Sequence, residues 1–289
     1  MTVTETTDPT AAAPGGRRRA ARSASARSAT RWLGDFAQRW VVFVLALVVW
    51  ELVARSAGSP FFPPPTTIAV FIWDNWLSGP PEQLFLSDLA VANLLPSVAR
   101  MLGSWAIAVL LGVSIGIALG RSSTAQDYAG PLLAFFRAIP PPVLAPVFLL
   151  IFNLGTPMQV ATIVFGVIWP LILNSADGAR SIDPTQYATA RAFRLPRGQW
   201  LFQVVLPAAL PKIFAGLRVS LSLSLILMVI SELLGATDGV GYQLNIAKNS
   251  FDFPAMWAVV VLLGILGYLF NTILLAVERR VLRWQPGRK

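Results

Sequence analysis

The side chains able to do chemistry are few and sit in oily surroundings. Ser220, Ser222, Ser224 and Ser231 share one apolar run with Glu232, Glu51 lies near the end of another, and Arg137 stands just ahead of Pro140, Pro141 and Pro142. Hydroxyls, a carboxylate and a guanidinium on apolar helices can hold a polar or anionic solute. They can equally bond the preceding turn of their own helix or, for arginine, reach out to the headgroups. The chain has no His and no Cys. It therefore lacks the commonest general base and metal ligand, and thiolate and disulfide chemistry are excluded. No nucleophile–base pair and no ligand cluster stands out, so neither catalytic residues nor a metal are expected. No G-x-x-x-x-G-K-[ST] occurs either, so this chain is not expected to hold nucleotide phosphates itself.

The elements that must position these residues are membrane helices. Of 289 residues, 55% are hydrophobic and 13% charged, with mean hydropathy +0.63. That charge fraction is about half that of a soluble domain. Runs long enough to cross a bilayer recur. Six are expected: Trp40–Arg55, Leu102–Leu119, Tyr128–Leu154 interrupted by the prolines, Met158–Asn174, Ile213–Leu234 and Met256–Val277. The fold class is an all-α polytopic membrane protein. Residues 1–38 are basic, rich in Ala, Ser and Thr, and read as a disordered tail. Residues 39–95 hold the first span and a turn-rich outer segment, 96–278 the main membrane domain, and 279–289 a basic tail. Gly112, Gly116 and Gly120 recur every fourth residue, a pattern that suits close helix packing.

Basic residues orient the chain. With an even number of spans, 20 of the 23 Lys and Arg fall on one side, leaving Arg55, Arg100 and Lys248. That asymmetry places both termini in the cytoplasm. A net charge of +9 beside membrane spans speaks for headgroups, and no nucleic-acid partner is expected.

The longest cytoplasmic loop, 176–212, carries its own pattern. In "IDPTQYATARAFRLPRGQW" the pair Asp183-Pro184 starts a short helix that runs to about Phe193. "RLPRG" is a turn, and "QWLFQVVLP" a second helix with an apolar face. Pro207 and Pro211 are expected to kink the chain as it enters the fifth span. A helix–turn–helix at the membrane surface reads as a docking element for a soluble partner, with a mere connector as the alternative.

Ala188–Pro211 resembles the cytoplasmic signature of binding-protein-dependent ABC importer permeases: E-A-A, three residues, G, nine residues, I-x-L-P. Here Ala188, Thr189 and Ala190 occupy the E-A-A positions, Arg194 the Gly position, Val204 the Ile position, and Leu206-Pro207 the final pair. "AIPPPVLAPVFLLIFNLGTP", "ISELLGATDGVGYQLNIA" and "VERRVLRWQP" are similar to other parts of the family, and most closely to its nitrate, sulfonate and taurine subgroup, aliphatic-sulfonate permeases above all.

The resemblance implies a six-helix, type I importer permease in the bacterial inner membrane, forming a pathway for a small organic anion such as an aliphatic sulfonate, taurine or nitrate. A pyrimidine or flavin vitamin precursor, or an aromatic acid, is the alternative cargo, and a stand-alone secondary transporter the alternative class. It implies a cytoplasmic ATPase dimer that hydrolyses the ATP, a second permease copy and an extracytoplasmic solute-binding protein, with no cofactor on this chain. Ala188, Thr189, Ala190, Phe193, Arg194, Leu195, Gly198, Leu206 and Pro207 become the ATPase-coupling loop, with Phe193 and Leu195 as apolar anchors. Arg137, Ser220, Ser224, Ser231 and Glu232 become candidates to line the pathway. The departures are Ala188 for Glu and Arg194 for Gly. Gly at such a position serves a positive φ, so the turn must either take another path or hold Arg in a strained conformation.

The absence of Cys makes topology directly measurable. Single cysteines at Ser23, Gln199 and Gln285 are expected to label only from the cytoplasmic side, and those at Ser78 and Asn249 only from outside. Labelling of position 199 from outside contradicts the six-span arrangement.

Overall fold

The computed structural model describes residues 40–284. They are helical, with no strand among them, as a bilayer demands of a chain that must satisfy its backbone internally. The contacts divide into two units, Met1–Pro65 and Thr66–Lys289.

In the first unit, α1 (Trp40–Ala57) has 18 residues, roughly 27 Å at 1.5 Å per residue. Most of its apolar side chains are exposed, as lipid-facing positions are, with Ala54 buried. Glu51 accepts from Arg55 one turn on, at 2.6 Å, so this carboxylate is paired within its own helix.

The second unit opens with α2 (Pro65–Trp76), where a turn-rich connection was expected. Helix α3 (Asp88–Gly120) is 33 residues long and begins well before Leu102. Ser87 caps it, its Oγ accepting from the Ala90 N–H at 3.2 Å and donating to the Asn75 carbonyl at 2.5 Å. Hydropathy alone misses this start because Asn93, Ser97 and Arg100 are polar residues satisfied by tertiary partners. The expected third span is two helices, α4 (Ser123–Ala138) and α5 (Pro141–Phe152), bent by 90°. Ile139 and Pro140, each followed by proline, are extended at ψ 119° and 122°, because a following proline disfavours the helical conformation.

Helix α6 (Thr156–Arg180) runs on past Asn174, and α7 (Pro184–Ala192) follows it. The kink expected at Pro207 and Pro211 does not break the chain. Helix α8 (Arg197–Gln199) passes through a π-helical turn, Trp200–Val205, into α9 (Leu206–Leu233) as one run of 37 residues. The Leu206 N–H donates to the Leu201 carbonyl, five residues back. This wider turn directly precedes Pro207, whose ring an ordinary α-turn would push against a carbonyl. Helix α10 (Val240–Asn249) is short, and α11 (Phe253–Val281) completes the unit. The described residues thus hold five helices fit to cross a membrane, or six with the bent α4–α5 pair taken as one span.

The core forms where α6 lies between α3 and α9. Met101 and Ala108 of α3 meet Ile163, Val167 and Leu171 of α6, and Leu227 and Met228 of α9 close the cluster. The glycine stripe of α3 faces α6. A Cβ on Gly112 would stand 2.7 Å from the Leu171 Cβ, and one on Gly116 2.5 Å from the Ile172 carbonyl. On the other side of α6, a Cβ on Gly178 would stand 2.9 Å from the Ala209 Cβ of α9. Small residues let these backbones touch, which is how helices gain dispersion contacts where lipid removes the hydrophobic drive between them.

Candidate functional site

The loop between α6 and α9 folds as a compact knob. Asp183 caps α7, its Oδ1 accepting from the Thr185 N–H at 2.7 Å. This backbone hydrogen bond, with one from the Thr185 side chain, holds the Asp183 carboxyl below its ordinary range, and Pro184 starts the first turn. The exit from α7 resolves the question that Arg194 raised. Arg194 sits at φ 49°. Its N–H donates to the Arg191 carbonyl at 3.1 Å, and the Leu195 N–H donates to the Ala190 carbonyl at 3.0 Å. These are the paired bonds of a Schellman cap, in which the left-handed residue is usually glycine. The turn has kept its path with a side chain where Gly would be easier.

The cap turns Leu195 inward. It packs against a buried cluster of Ala179, Ala190, Trp200 and Val205, which ties the knob to the end of α6 and to the π-helical turn. Tyr187 meets Trp200 edge-on at 5.6 Å, and the Arg191 guanidinium lies 5.9 Å from the Tyr187 ring centre. Of the two expected anchors, only Phe193 is presented outward, at 77% exposure. Ala188, Thr189, Arg194 and Gly198 are also exposed, Ala190 is buried, and Leu206 and Pro207 are half-buried. Thr189 Oγ1 donates to the Thr185 carbonyl at 2.8 Å.

The candidates for the pathway fall into two groups. Ser220, Ser224 and Ser231 are fully buried in this chain. Each donates to a carbonyl of its own helix, those of Leu217, Leu221 and Met228 respectively, at 2.7–3.0 Å. Ser220 also accepts from the Trp105 indole N–H at 2.9 Å. Glu232 is buried as well. Its Oε1 accepts from Ser97 Oγ at 2.6 Å and Arg100 Nη1 at 3.2 Å, and its Oε2 from the Gly241 N–H at 2.8 Å. Arg137 differs, being exposed in the last turn of α4 beside the 90° bend.

Sequence reasoning found Glu232 but missed its partners. Arg100 Nη2 donates to both Asp238 oxygens at 2.6 Å. Ser97 accepts from the Val240 N–H at 2.9 Å and Asn93 from the Gly239 N–H at 3.0 Å. Together these residues clasp the α9–α10 connection and the start of α10 against α3. A signal was present, since Arg100 is one of the three basic residues at odds with the charge asymmetry. A buried charge needs such company, because an unpaired one is costly.

The described residues thus form a glycine-packed set of membrane helices with a capped knob between α6 and α9. Residues 108–283 match the family model of the binding-protein-dependent transport system inner membrane component, and the chain belongs to that family. A Bacillus subtilis permease, provisionally named for aliphatic sulfonates transport, is 27% identical over 83% of this chain and 84% of its own. The taurine transport system permease of Escherichia coli is 28% identical over 83% of this chain and 86% of its own. An inward-facing methionine ABC transporter structure shares the fold at TM-score 0.59 and 20% identity, covering 70% of this chain and 99% of that one. The fold is that of type I importer permeases, and the chain is a membrane component with several spanning helices.

The strain at Arg194 is testable. A left-handed residue other than glycine costs roughly 1–2 kcal/mol, partly offset by the freedom glycine gains when unfolded. Arg194→Gly is expected to stabilise the knob by about 0.5–1 kcal/mol, slowing hydrogen exchange at the Leu195 amide roughly two- to fivefold. Faster exchange in the variant contradicts the assigned cap.

Proposed function

We propose that this chain forms half of the translocation pathway of an ATP-driven importer for a small organic anion of the sulfonate class. It is itself no enzyme. The hydrolysis of ATP falls to two cytoplasmic ATPase subunits, and a solute-binding protein delivers the cargo from outside. A second copy of the chain completes the pore. Both termini, and with them the knob, lie in the cytoplasm.

The observation that carries this reading is the knob's construction. Leu195, Ala190, Trp200 and Val205 join α7 and the π-helical turn to Ala179 at the end of α6, while Phe193 is left outside. A push on Phe193 therefore reaches α6 and α9 together, and α6 is packed on α3 through glycine. ATP closes the ATPases, the knobs move, and rigid helix groups swing around the central cavity, as alternating access requires. Within the loop, Ala188, Thr189, Phe193, Arg194 and Gly198 present the surface, and Ala190, Leu195, Leu206 and Pro207 hold its shape.

For the cargo, the support is the two relatives named for sulfonates and taurine, both sulfonic acids, and the exposed Arg137 at the α4–α5 bend. The planar fork of a guanidinium can donate to two oxygens of such an anion at once. The buried serines contribute by letting helices pack closely, and Glu232 by holding the α10 entrance in place.

In a strain without other sulfonate uptake systems, deletion of the gene is expected to abolish growth on an alkanesulfonate or taurine as sole sulfur source. Arg137→Gln is expected to lower uptake of the labelled compound about tenfold, the scale of one charge-assisted hydrogen bond. Normal growth of the deletion strain on several sulfonates moves the cargo to another chemical class.

A further inference from the structure

The loop's arginines do more than set its sign, because three of them converge with Arg121 at the end of α3. A cavity of about 410 Å³ is walled by Arg121, Arg191, Arg194 and Arg197, with Tyr187 and Trp200 beside them. No carboxylate lines it, and none of the four arginines joins an ion pair among the described residues. They come from separate places in the chain. Arg121 follows the last residue of α3, Arg191 lies in the last turn of α7, Arg194 occupies the left-handed cap, and Arg197 opens α8. Four guanidiniums gathered in one concavity repel one another and concentrate anions there.

A second cavity, of about 440 Å³, shares Arg121, Tyr187 and Trp200 and adds Arg180, while Ala179, Ile182, Pro184 and Val205 give it an apolar side. A cationic pocket adjoining a cavity with an apolar side is complementary to an amphiphile with an anionic head. Depth agrees with that. Arg121 stands at the end of a membrane-spanning helix, where headgroups lie, and Tyr and Trp are the aromatics that settle at this level.

We propose that this pocket binds the phosphate of an acidic phospholipid in the leaflet next to the knob. The guanidiniums offer the phosphate paired, planar donors. The glycerol and first acyl carbons take the apolar side of the second cavity, along Ala179, Ile182 and Val205. Phe193 does not line either cavity, so the apolar anchor of the knob's outward face stays clear of the lipid site, and Arg194 is the one residue the two surfaces share. The bound lipid would link the end of α3 to α7 and α8, and make the knob sensitive to the charge of the membrane. A soluble phosphate is the other source of the same chemistry, and an acidic patch on the ATPase is the competing occupant.

Native mass spectrometry of the full-length permease in mixed detergent tests this, with phosphatidylglycerol, phosphatidylcholine and inorganic phosphate as probes. Retention of one phosphatidylglycerol per chain in preference to phosphatidylcholine is expected. The Arg121→Gln/Arg197→Gln variant is expected to bind it about thirtyfold more weakly, on the scale of two headgroup-facing charges. Arg280→Gln/Arg283→Gln, which removes equal charge elsewhere, should leave it within roughly twofold. If the glutamine variant does not fold, Arg121→Lys/Arg197→Lys keeps the charge without the fork and is expected to lose roughly threefold. Equal retention of the two lipids, or unchanged binding in the variants, overturns the proposal. Displacement of the lipid by inorganic phosphate overturns the lipid assignment in favour of a soluble anion. Loss of the lipid when the ATPase subunits are added overturns it in favour of a protein interface.

Discussion

Three helices touch along their backbones because glycine and alanine remove the side chains that would hold them apart. On α3, Gly112 and Gly116 leave no room for a Cβ against α6, and Gly178 leaves none between α6 and α9. Lipid is as apolar as leucine, so a membrane bundle cannot rely on burying oily surface. It relies on close dispersion contact and on satisfying its few polar groups. Everything outside this three-helix contact is positioned by it. The knob hangs from the end of α6 and returns through the π-helical turn into α9. The α10 entrance is clasped to α3 through Asn93, Ser97 and Arg100. One tightly packed core therefore connects two polar devices near opposite ends of the same helices.

The two devices differ in how they treat charge. The clasp buries Glu232 and satisfies it with a hydroxyl, a guanidinium and a backbone N–H. Removing one partner there strands another, which is why such networks keep a connection in a single arrangement. The knob does the reverse, gathering three arginines with Arg121 around one pocket, none of them in an ion pair among the described residues, and holding its shape by an apolar cluster and a helix cap. Its rigidity comes from Leu195 and Trp200, and its charge stays free for something outside the chain.

Much of this was legible in the sequence, for identifiable reasons. Spans show as apolar runs, the glycine stripe shows as a four-residue period, and the loop shows as a basic interruption with Asp183-Pro184 at a helix start. What hydropathy conceals is polar residues inside helices. Asn93, Ser97 and Arg100 look like a connector, yet they lie within α3 because Glu232, Asp238 and the α10 backbone answer them. Pro207 was expected to kink the chain, and one wider turn accommodates it without ending the helix. Leu195 looked like an exposed anchor, and only the left-handed cap at Arg194 reveals that it turns inward while Phe193 stays exposed. Each miss concerns a long-range partner or a single backbone angle, neither of which has a local signature.

The central claim is that the knob passes ATPase motion to the glycine-packed helices through its outward face. Phe193→Asp tests it, because Phe193 contributes nothing to the buried cluster that holds the knob together. The measurement is solute-stimulated ATP hydrolysis by the reconstituted complex, with co-purification of the ATPase and hydrogen exchange at the Leu195 amide as controls. The account predicts an intact knob with unchanged exchange, and ATPase binding weakened about thirtyfold, as loss of one buried interface anchor does. Stimulated hydrolysis should fall with it. Full hydrolysis and uptake by a Phe193→Asp complex that stays assembled would contradict the account and leave the loop a connector.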